Sequence, residues 1–178
     1  MKDWNVCGRK YWGFDSFQGL PNPVNEDQQG SLITGAKGQF AAGLEQVKQS
    51  FRDFGLEDPT LVELVPGWFN ESLPNAAVKH IAFLRLDGDL FASTHDALVH
   101  LYSKVVPGGL VYIDDYGGFN GCRLAVDTFR MVHGISSPLH WIVEDEERHH
   151  DALHLQLGRV EAVWWRKGGW RDEEWYNP

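Results

Sequence analysis

The run HIAFLRLD, residues 80–87, decides the fold that the sequence predicts. It is largely apolar and ends at Asp87, as expected of a parallel strand whose two faces are both buried. Residues 93–96 (STHD) then have the capping-box pattern, which predicts a helix that continues to about Val105. A buried strand followed directly by a helix is the repeating unit of α/β folds.

The same alternation continues on both sides of this run. Short apolar segments predict further strands, and apolar positions spaced three and four residues apart predict further helices. The strands are predicted near residues 10–14, 60–65 and 110–113, and the helices near residues 37–54, 70–79 and 122–133. Two final strands, near 139–143 and 160–165, are predicted to pair antiparallel. The sequence therefore predicts a single domain over residues 1–178, with a doubly wound, mainly parallel sheet.

Composition and charge narrow the possible partners. The net charge is -9 and the pI is about 5.3, which disfavours nucleic acid and anionic membrane surfaces because both are bound by basic proteins. No apolar run reaches the roughly 18 residues of a membrane helix, and no secretory signal is visible. Cys7 and Cys122 fit no disulfide framework or metal motif. We expect a soluble intracellular protein, located in the cytoplasm. The sequence does not distinguish the cytoplasm from the interior of an organelle.

Aspartates follow the predicted strands at the points where those strands end. Asp15, Asp87 and the pair Asp114–Asp115 each come directly after an apolar segment. Ligands of open parallel sheets bind beyond the carboxyl ends of the strands, so these acids should meet at one edge. Carboxylates held close together repel one another unless a cation or protons compensate them. Asp87, Asp114 and Asp115 are therefore a candidate site for Mg²⁺ or Ca²⁺, both of which prefer oxygen ligands.

Each of these acids also has a purely structural interpretation. They can cap the helices that follow, or they can pair with Arg85 and Arg123, and this is the interpretation that we prefer for Asp89. Asp15 can accept hydrogen bonds from the ribose of a nucleotide-like cofactor, or it can form a turn with Ser16. The residues alone leave both roles of Asp15 open.

A group of histidines and two tryptophans near the end of the sequence give weaker functional signals. His149, His150 and His154 lie close together, but a zinc site is disfavoured because the surrounding residues are polar and the usual ligand spacing is missing. Trp170 and Trp175 stand in a charged tail, where they either pack over a sheet edge or bind a partner. Neither group identifies a function.

Four ordered motifs resemble those of the macrocin O-methyltransferase family of sugar O-methyltransferases. They are DSFQGLP at 15–21, VPGWF at 65–69, LRLDGDLFAST at 84–94, and the GG and IDDY segments at 108–109 and 113–116. The resemblance extends from about Arg9 to Arg166. It implies a class I methyltransferase-like fold, with S-adenosylmethionine as the cofactor and Mg²⁺ as the metal.

The resemblance also implies a role for each site residue. Asp87, Asp114 and Asp115 would hold Mg²⁺, and Asp87 would also act as the general base on a sugar-like hydroxyl substrate. Four residues would bind the cofactor: Asp15 at its ribose, the neighbouring Ser16, and Gly67 and Trp68 near its adenine. A metal that lowers the pKa of a hydroxyl and fixes it in line with the methyl group suits this chemistry.

One part of the family pattern is missing from residues 1–14. Family members carry a first strand and a glycine-rich loop ahead of the DSF motif, and this sequence has neither. The absent strand would lie between two strands that are present, so the resemblance implies a gap at the centre of the sheet. Either the neighbouring strands close onto each other, or a homo-oligomer or partner chain fills the gap, or the sequence is a fragment.

Three functional hypotheses follow. The first is an active O-methyltransferase completed by a partner or a second protomer, since the acid trio and Asp15 are intact. The second is a catalytically inactive methyltransferase-like subunit or scaffold in a larger assembly, since the cofactor loop is absent. A metal-dependent hydrolase that uses the same aspartates has little support, because no paired base or nucleophile accompanies them.

Overall fold

The computed structural model describes residues 8–28, 35–143 and 160–168, which form six strands and five α-helices. A short 3₁₀ turn, Tyr102–Lys104, joins α4 to β4. In chain order the elements are β1 Tyr11–Asp15, α1 Asn25–Gln28, α2 Leu44–Asp53, β2 Val62–Pro66, α3 Phe69–Ser72, β3 Ile81–Leu86, α4 Phe91–Leu101, β4 Val105–Ile113, α5 Asn120–Val132, β5 His140–Val143 and β6 Val160–Arg166.

The strands form two separate sheets. β1 pairs in parallel with β2, from Tyr11 opposite Val62 to Asp15 opposite Pro66. The larger sheet has the order β3-β4-β6-β5, in which β3 and β4 are parallel and β6 is antiparallel to both of its neighbours. The α/β class and the antiparallel final pair are confirmed. No strand of the described part of the chain lies between β1 and β3.

The hydrophobic core lies on one face of the larger sheet, under α4 and α5. Side chains alternate across a strand, so every second residue of β3, β4 and β6 points to these helices. The sheet residues on this face that are buried include Leu84, Leu86, Val111, Ile113 and Trp165. α5 packs Cys122, Val126 and Phe129 against the same core. This packing fixes the carboxyl ends of β3 and β4, where the candidate metal residues begin.

The opposite face of the larger sheet has no comparable cover in the described residues. Phe83 is 58% exposed there, and Tyr112 lies next to it with ring centroids 6.5 Å apart. Further along, Trp164 stacks on His140 with centroids 4.1 Å apart. These aromatic side chains form one row because β3, β4, β6 and β5 are adjacent in the sheet.

Two helix starts differ from their predictions. The capping box predicted at Ser93 is not observed, and α4 begins earlier, at Phe91. The buried carboxylate of Asp27 accepts the N–H of Phe91 at 2.7 Å, so a distant acid does the work expected of Ser93. α2 begins at Leu44 rather than near Lys37, and the reason is that Gly38 and Phe40 have positive φ angles of 79° and 61°.

Within these ranges of the chain, no helix combines the length and the apolar character that crossing a membrane requires.

Candidate metal and cofactor site

Three acids meet where β3 and β4 end. Asp87 follows β3, and Asp114 and Asp115 follow β4. The N–H of Asp114 donates to the carbonyl of Leu86 at 2.9 Å. The hydrogen bonds between β3 and β4 therefore continue past Ile113 and keep the carboxyl ends of the two strands side by side. One carboxylate oxygen from each of Asp87, Asp114 and Asp115 lies within 4.8 Å of the others. The set consists of oxygen donors only, which suits Mg²⁺.

Arg85 occupies the solvent side of this cluster, which we call the acid trio (Asp87, Asp114 and Asp115). Its guanidinium donates to Asp87 Oδ2 at 2.6 Å and to Asp114 Oδ2 at 2.9 Å. The pairing with Arg85 that the sequence offered as an alternative is therefore present. The guanidinium also lies 5.9 Å from the ring centre of Tyr112, whose pKa is raised to about 12 by burial and by the neighbouring Asp114. The single positive charge of Arg85 is thus shared between two carboxylates of the trio, and Arg85 makes no such contact with the third, Asp115.

Asp115 is the acid that Arg85 does not reach in this arrangement. Its Oδ2 accepts the backbone N–H of Asp89 at 3.0 Å, and Asp89 adopts a positive φ of 55° in the turn. Burial, and then repulsion from Asp89, raises the pKa of Asp115 to about 8. Burial and repulsion from Asp87 also raise the pKa of Asp89. Asp89 and Asp115 therefore have no arginine partner among these contacts. The sequence had indicated pairing of Asp89 with Arg85 or Arg123, but Asp89 contacts Asp115 instead.

A pocket of about 380 Å³ opens between the ends of β1 and β3. It brings together Asp15, Ser16, Trp68 and Asp87, all of which the sequence marked as site residues. Its apolar lining consists of Leu20, Pro21, Phe40 and Phe69. A carboxylate beside aromatic and aliphatic side chains fits a nucleoside, whose ribose needs acceptors and whose base needs an apolar slot. Gly67, Asp114 and Asp115 do not line this pocket.

The turn after β1 shapes one wall of the pocket. Asp15 Oδ1 accepts the N–H of Phe17 at 2.6 Å, and Ser16 Oγ donates to the carbonyl of Gly19 at 2.9 Å. The structural alternative for Asp15 and Ser16, a local turn, is therefore realised as well. Gly19 has a φ of 80°, and a Cβ there would lie 2.5 Å from the carbonyl oxygen of Gln39. The close approach brings residues 38–40 over the pocket.

Gly67 acts on the pocket through the backbone. Its N–H donates to the carbonyl of Asp15 at 2.9 Å, which ties the end of β2 to the end of β1. Its φ of 143° is accessible to glycine and strained for other residues. The turn that follows directs Trp68 into the pocket.

Sequence reasoning missed several pocket residues. Gln39 and Phe40 line the pocket, yet they lie inside the segment predicted to be helical. Two glycines close by, Gly35 and Gly38, are the signal that could have indicated a loop there. The histidine group at 149–154 and the tryptophans at 170 and 175 lie outside the described residues.

Comparisons with known proteins identify the family of this chain. A family model described as Macrocin-O-methyltransferase (TylF) matches residues 1–147. One relative is the 8-demethyl-8-(2,3-dimethoxy-alpha-L-rhamnosyl)-tetracenomycin-C 4'-O-methyltransferase of Streptomyces olivaceus. It is 42% identical over 135 residues, which cover 74% of this chain and 51% of that protein. A demethyldecarbamoylnovobiocin O-methyltransferase of Streptomyces niveus is 38% identical over 144 residues, covering 79% and 55%. The chain spans about half the length of the curated relatives it matches.

Solved structures support the fold. The O-methyltransferase NovP superposes with a TM-score of 0.74 at 34% identity, covering 92% of this chain and 62% of that one. A calicheamicin methyltransferase superposes with a TM-score of 0.60 at 20% identity, covering 90% of this chain and 61% of that one. At this identity the similarity supports the fold alone. The chain has the class I methyltransferase-like fold and belongs to the macrocin O-methyltransferase family.

Proposed function

We propose that this chain is the metal-binding and cofactor-binding part of an S-adenosylmethionine-dependent, Mg²⁺-assisted O-methyltransferase that acts on a sugar hydroxyl. The observation that carries the proposal is the position of Asp87, which belongs to the acid trio and also lines the pocket that contains Asp15 and Trp68. Metal, cofactor and acceptor must meet at one point in such a reaction, and Asp87 supplies that point.

The acceptor class comes from the relatives. The protein of Streptomyces olivaceus is named for a 4'-O-methylation on a rhamnosyl compound, and one of Micromonospora griseorubida, 36% identical over 144 residues, is named a mycinamicin III 3''-O-methyltransferase. From these relatives we infer that the substrate of this chain is a small molecule with a sugar-like hydroxyl.

Mg²⁺ fits the acid trio on chemical grounds. The donors are carboxylate oxygens, and the one nearby positive charge, that of Arg85, is shared between Asp87 and Asp114. Burial and then repulsion from Asp89 raise the pKa of Asp115, and a cation bound here would offset both costs of its charge. We assign Asp87, Asp114 and Asp115 as its ligands.

The remaining residues take roles around the cofactor. Asp15 and Ser16 lie at the pocket edge and would receive the ribose, and Trp68 would lie against the adenine. Gly67 would hold the turn that presents Trp68.

Catalysis then depends on Asp87. When bound, S-adenosylmethionine would supply a methyl group on a sulfonium, and Mg²⁺ held by the acid trio would lower the pKa of the acceptor hydroxyl. Asp87, which belongs to the acid trio and lines the pocket, would accept the hydroxyl proton as general base.

Calorimetric titration with S-adenosylhomocysteine, with and without Mg²⁺, tests the proposal. We expect micromolar binding, about -8 kcal/mol, once the rest of the fold is supplied by a homo-oligomer or a partner chain. Asp87→Asn should abolish methyl transfer in that assembled protein, whereas Glu45→Gln on the exposed α2 should leave it unchanged. Unchanged methyl transfer in Asp87→Asn would refute the assignment.

The second candidate is a catalytically inactive subunit or scaffold within a larger assembly. It is favoured by the coverage of only about half of each curated relative. Failure of the folded, assembled protein to bind S-adenosylhomocysteine would favour this candidate. A single domain over residues 1–178 and a cytoplasmic location stay predictions from the sequence.

A further inference from the structure

Arg85 links the two strands that carry the acid trio. It belongs to β3 and stands opposite Tyr112 of β4 in the parallel pairing. Its Nη1 donates to Asp87 Oδ2 at 2.6 Å, and its Nη2 donates to Asp114 Oδ2 at 2.9 Å. Asp87 follows β3 and Asp114 follows β4, so one side chain connects acids from two strands.

The shape of the guanidinium gives this link its geometry. A guanidinium is planar and carries its N–H donors in a fixed fork, so the two hydrogen bonds set both the spacing and the rotation of the two carboxylates. Each carboxylate has two oxygens, and the bridge takes one from each. Arg85 can therefore hold Asp87 and Asp114 without using the oxygens that would bind a cation.

The position of Arg85 favours this geometric effect over simple repulsion of a cation. Its guanidinium lies 5.9 Å from the ring centre of Tyr112, a cation–π contact that helps to fix the side chain. The Arg85 side chain is also 49% exposed, so water and salt screen its charge. Screening weakens the repulsion between Arg85 and a bound metal ion, whereas the two short hydrogen bonds keep their directions.

We propose that Arg85 is a positioning residue of the metal site, which orients the carboxylates of Asp87 and Asp114 so that their other oxygens meet one divalent cation together with Asp115. The inference rests on the proposed metal site. Residues that hydrogen-bond to metal ligands typically contribute roughly 10- to 100-fold in metal affinity. Asp87 also lines the pocket, so the same bridge would fix the group that accepts the hydroxyl proton.

Calorimetric titration of the full chain with Mn²⁺ tests the proposal. Arg85→Met removes the charge and the fork, Arg85→Lys keeps the charge without the fork, and Arg52→Met removes the same charge from an exposed position on α2. We expect both Arg85 variants to weaken Mn²⁺ binding by roughly tenfold or more, and Arg52→Met to leave it unchanged. Charge alone predicts the reverse, with tighter binding in Arg85→Met and no change in Arg85→Lys.

The hydration of the bound metal gives a second readout. Mn²⁺ takes octahedral sites of oxygen ligands, so water replaces a carboxylate that turns away. Water-proton relaxation at saturating Mn²⁺ should therefore rise, per bound ion, in Arg85→Lys and should not rise in Arg52→Met. A loss of stability alone would not change this value in a folded chain. The Arg85 side chain is half exposed, so each variant should fold, which far-UV circular dichroism verifies.

The results that overturn the proposal also separate it from the proposed function. Unchanged or tighter Mn²⁺ binding in Arg85→Met would show that Arg85 does not support the site. Full affinity and unchanged relaxation in Arg85→Lys would show that charge suffices without the fork. In both cases the metal site itself would stand. Absence of Mn²⁺ binding by the unsubstituted chain would refute the metal site, and the role of Arg85 with it.

Discussion

The two sheets of this protein are packed very differently. The four-stranded sheet buries one face completely against α4 and α5, and its Val111, Ile113 and Trp165 have no exposed surface. The β1–β2 sheet has no fully buried residue, and neither does α2 beside it. The acid trio stands on the first sheet and Asp15 on the second. The proposed metal site therefore stands on a well-packed sheet, whereas the proposed cofactor pocket also depends on a sheet with no fully buried residue.

The largest contrast should appear in stability. Trp165→Ala would leave a cavity in the core and should lower the free energy of unfolding by about 3–5 kcal/mol. Trp12→Ala in β1 removes a half-buried ring that stacks on Phe14, and should cost about 1 kcal/mol. Urea denaturation measures both. Equal losses would show that the two sheets unfold as one equally packed unit and would break the comparison.

Metal affinity should depend on the first sheet alone. Asp115→Asn should weaken Mn²⁺ or Mg²⁺ binding about 100-fold, because it removes one of three charged ligands. Asp15→Asn should leave that affinity unchanged, since Asp15 is not part of the trio. Calorimetry with Mn²⁺ decides between the two. Equal weakening by both substitutions would place the metal in the pocket instead of at the trio.

The stability of the metal-free protein should fall as the pH rises. The pKa of Asp115 is raised to about 8 in the fold, against about 4 when unfolded, so the folded state binds the extra proton between these values. This contribution is complete below about pH 4 and is lost as the pH rises through about 8. Thermal melts from pH 5 to 9 should show a falling Tm, which Mg²⁺ restores. Asp115→Asn should flatten the profile, and a Tm that rises over this range would contradict the assignment.

The smallest effect concerns the contact that fixes the start of α4. Asp27 accepts N–H groups from Val24 and Phe91, so Asp27→Asn should cost about 1 kcal/mol of unfolding free energy. Glu26→Gln, at the neighbouring and less buried position, serves as the control. Thermal denaturation compares the two. An equal, negligible cost for both would show that Asp27 is not needed to hold residues 20–28 against α4.

Much of the larger sheet could be predicted because consecutive residues of its strands form patterns that indicate a buried strand. The apolar run of β3 and the aspartates that follow β3 and β4 depend on local order along the chain. The start of α4 could not be predicted, because its capping acid, Asp27, is 64 residues away in sequence. The same holds for Asp89, whose partner Asp115 becomes its neighbour only when β3 and β4 pair.

The sequence by itself determined the alternation of strands and helices, the acids at the strand ends and the family motifs, because each is written in consecutive residues. Only the tertiary structure decided that Arg85 bridges Asp87 and Asp114, that Asp115 gains a raised pKa, and that β1 and β3 stay apart. Charge compensation, burial and strand pairing depend on which distant segments become neighbours, and that is a property of the folded chain.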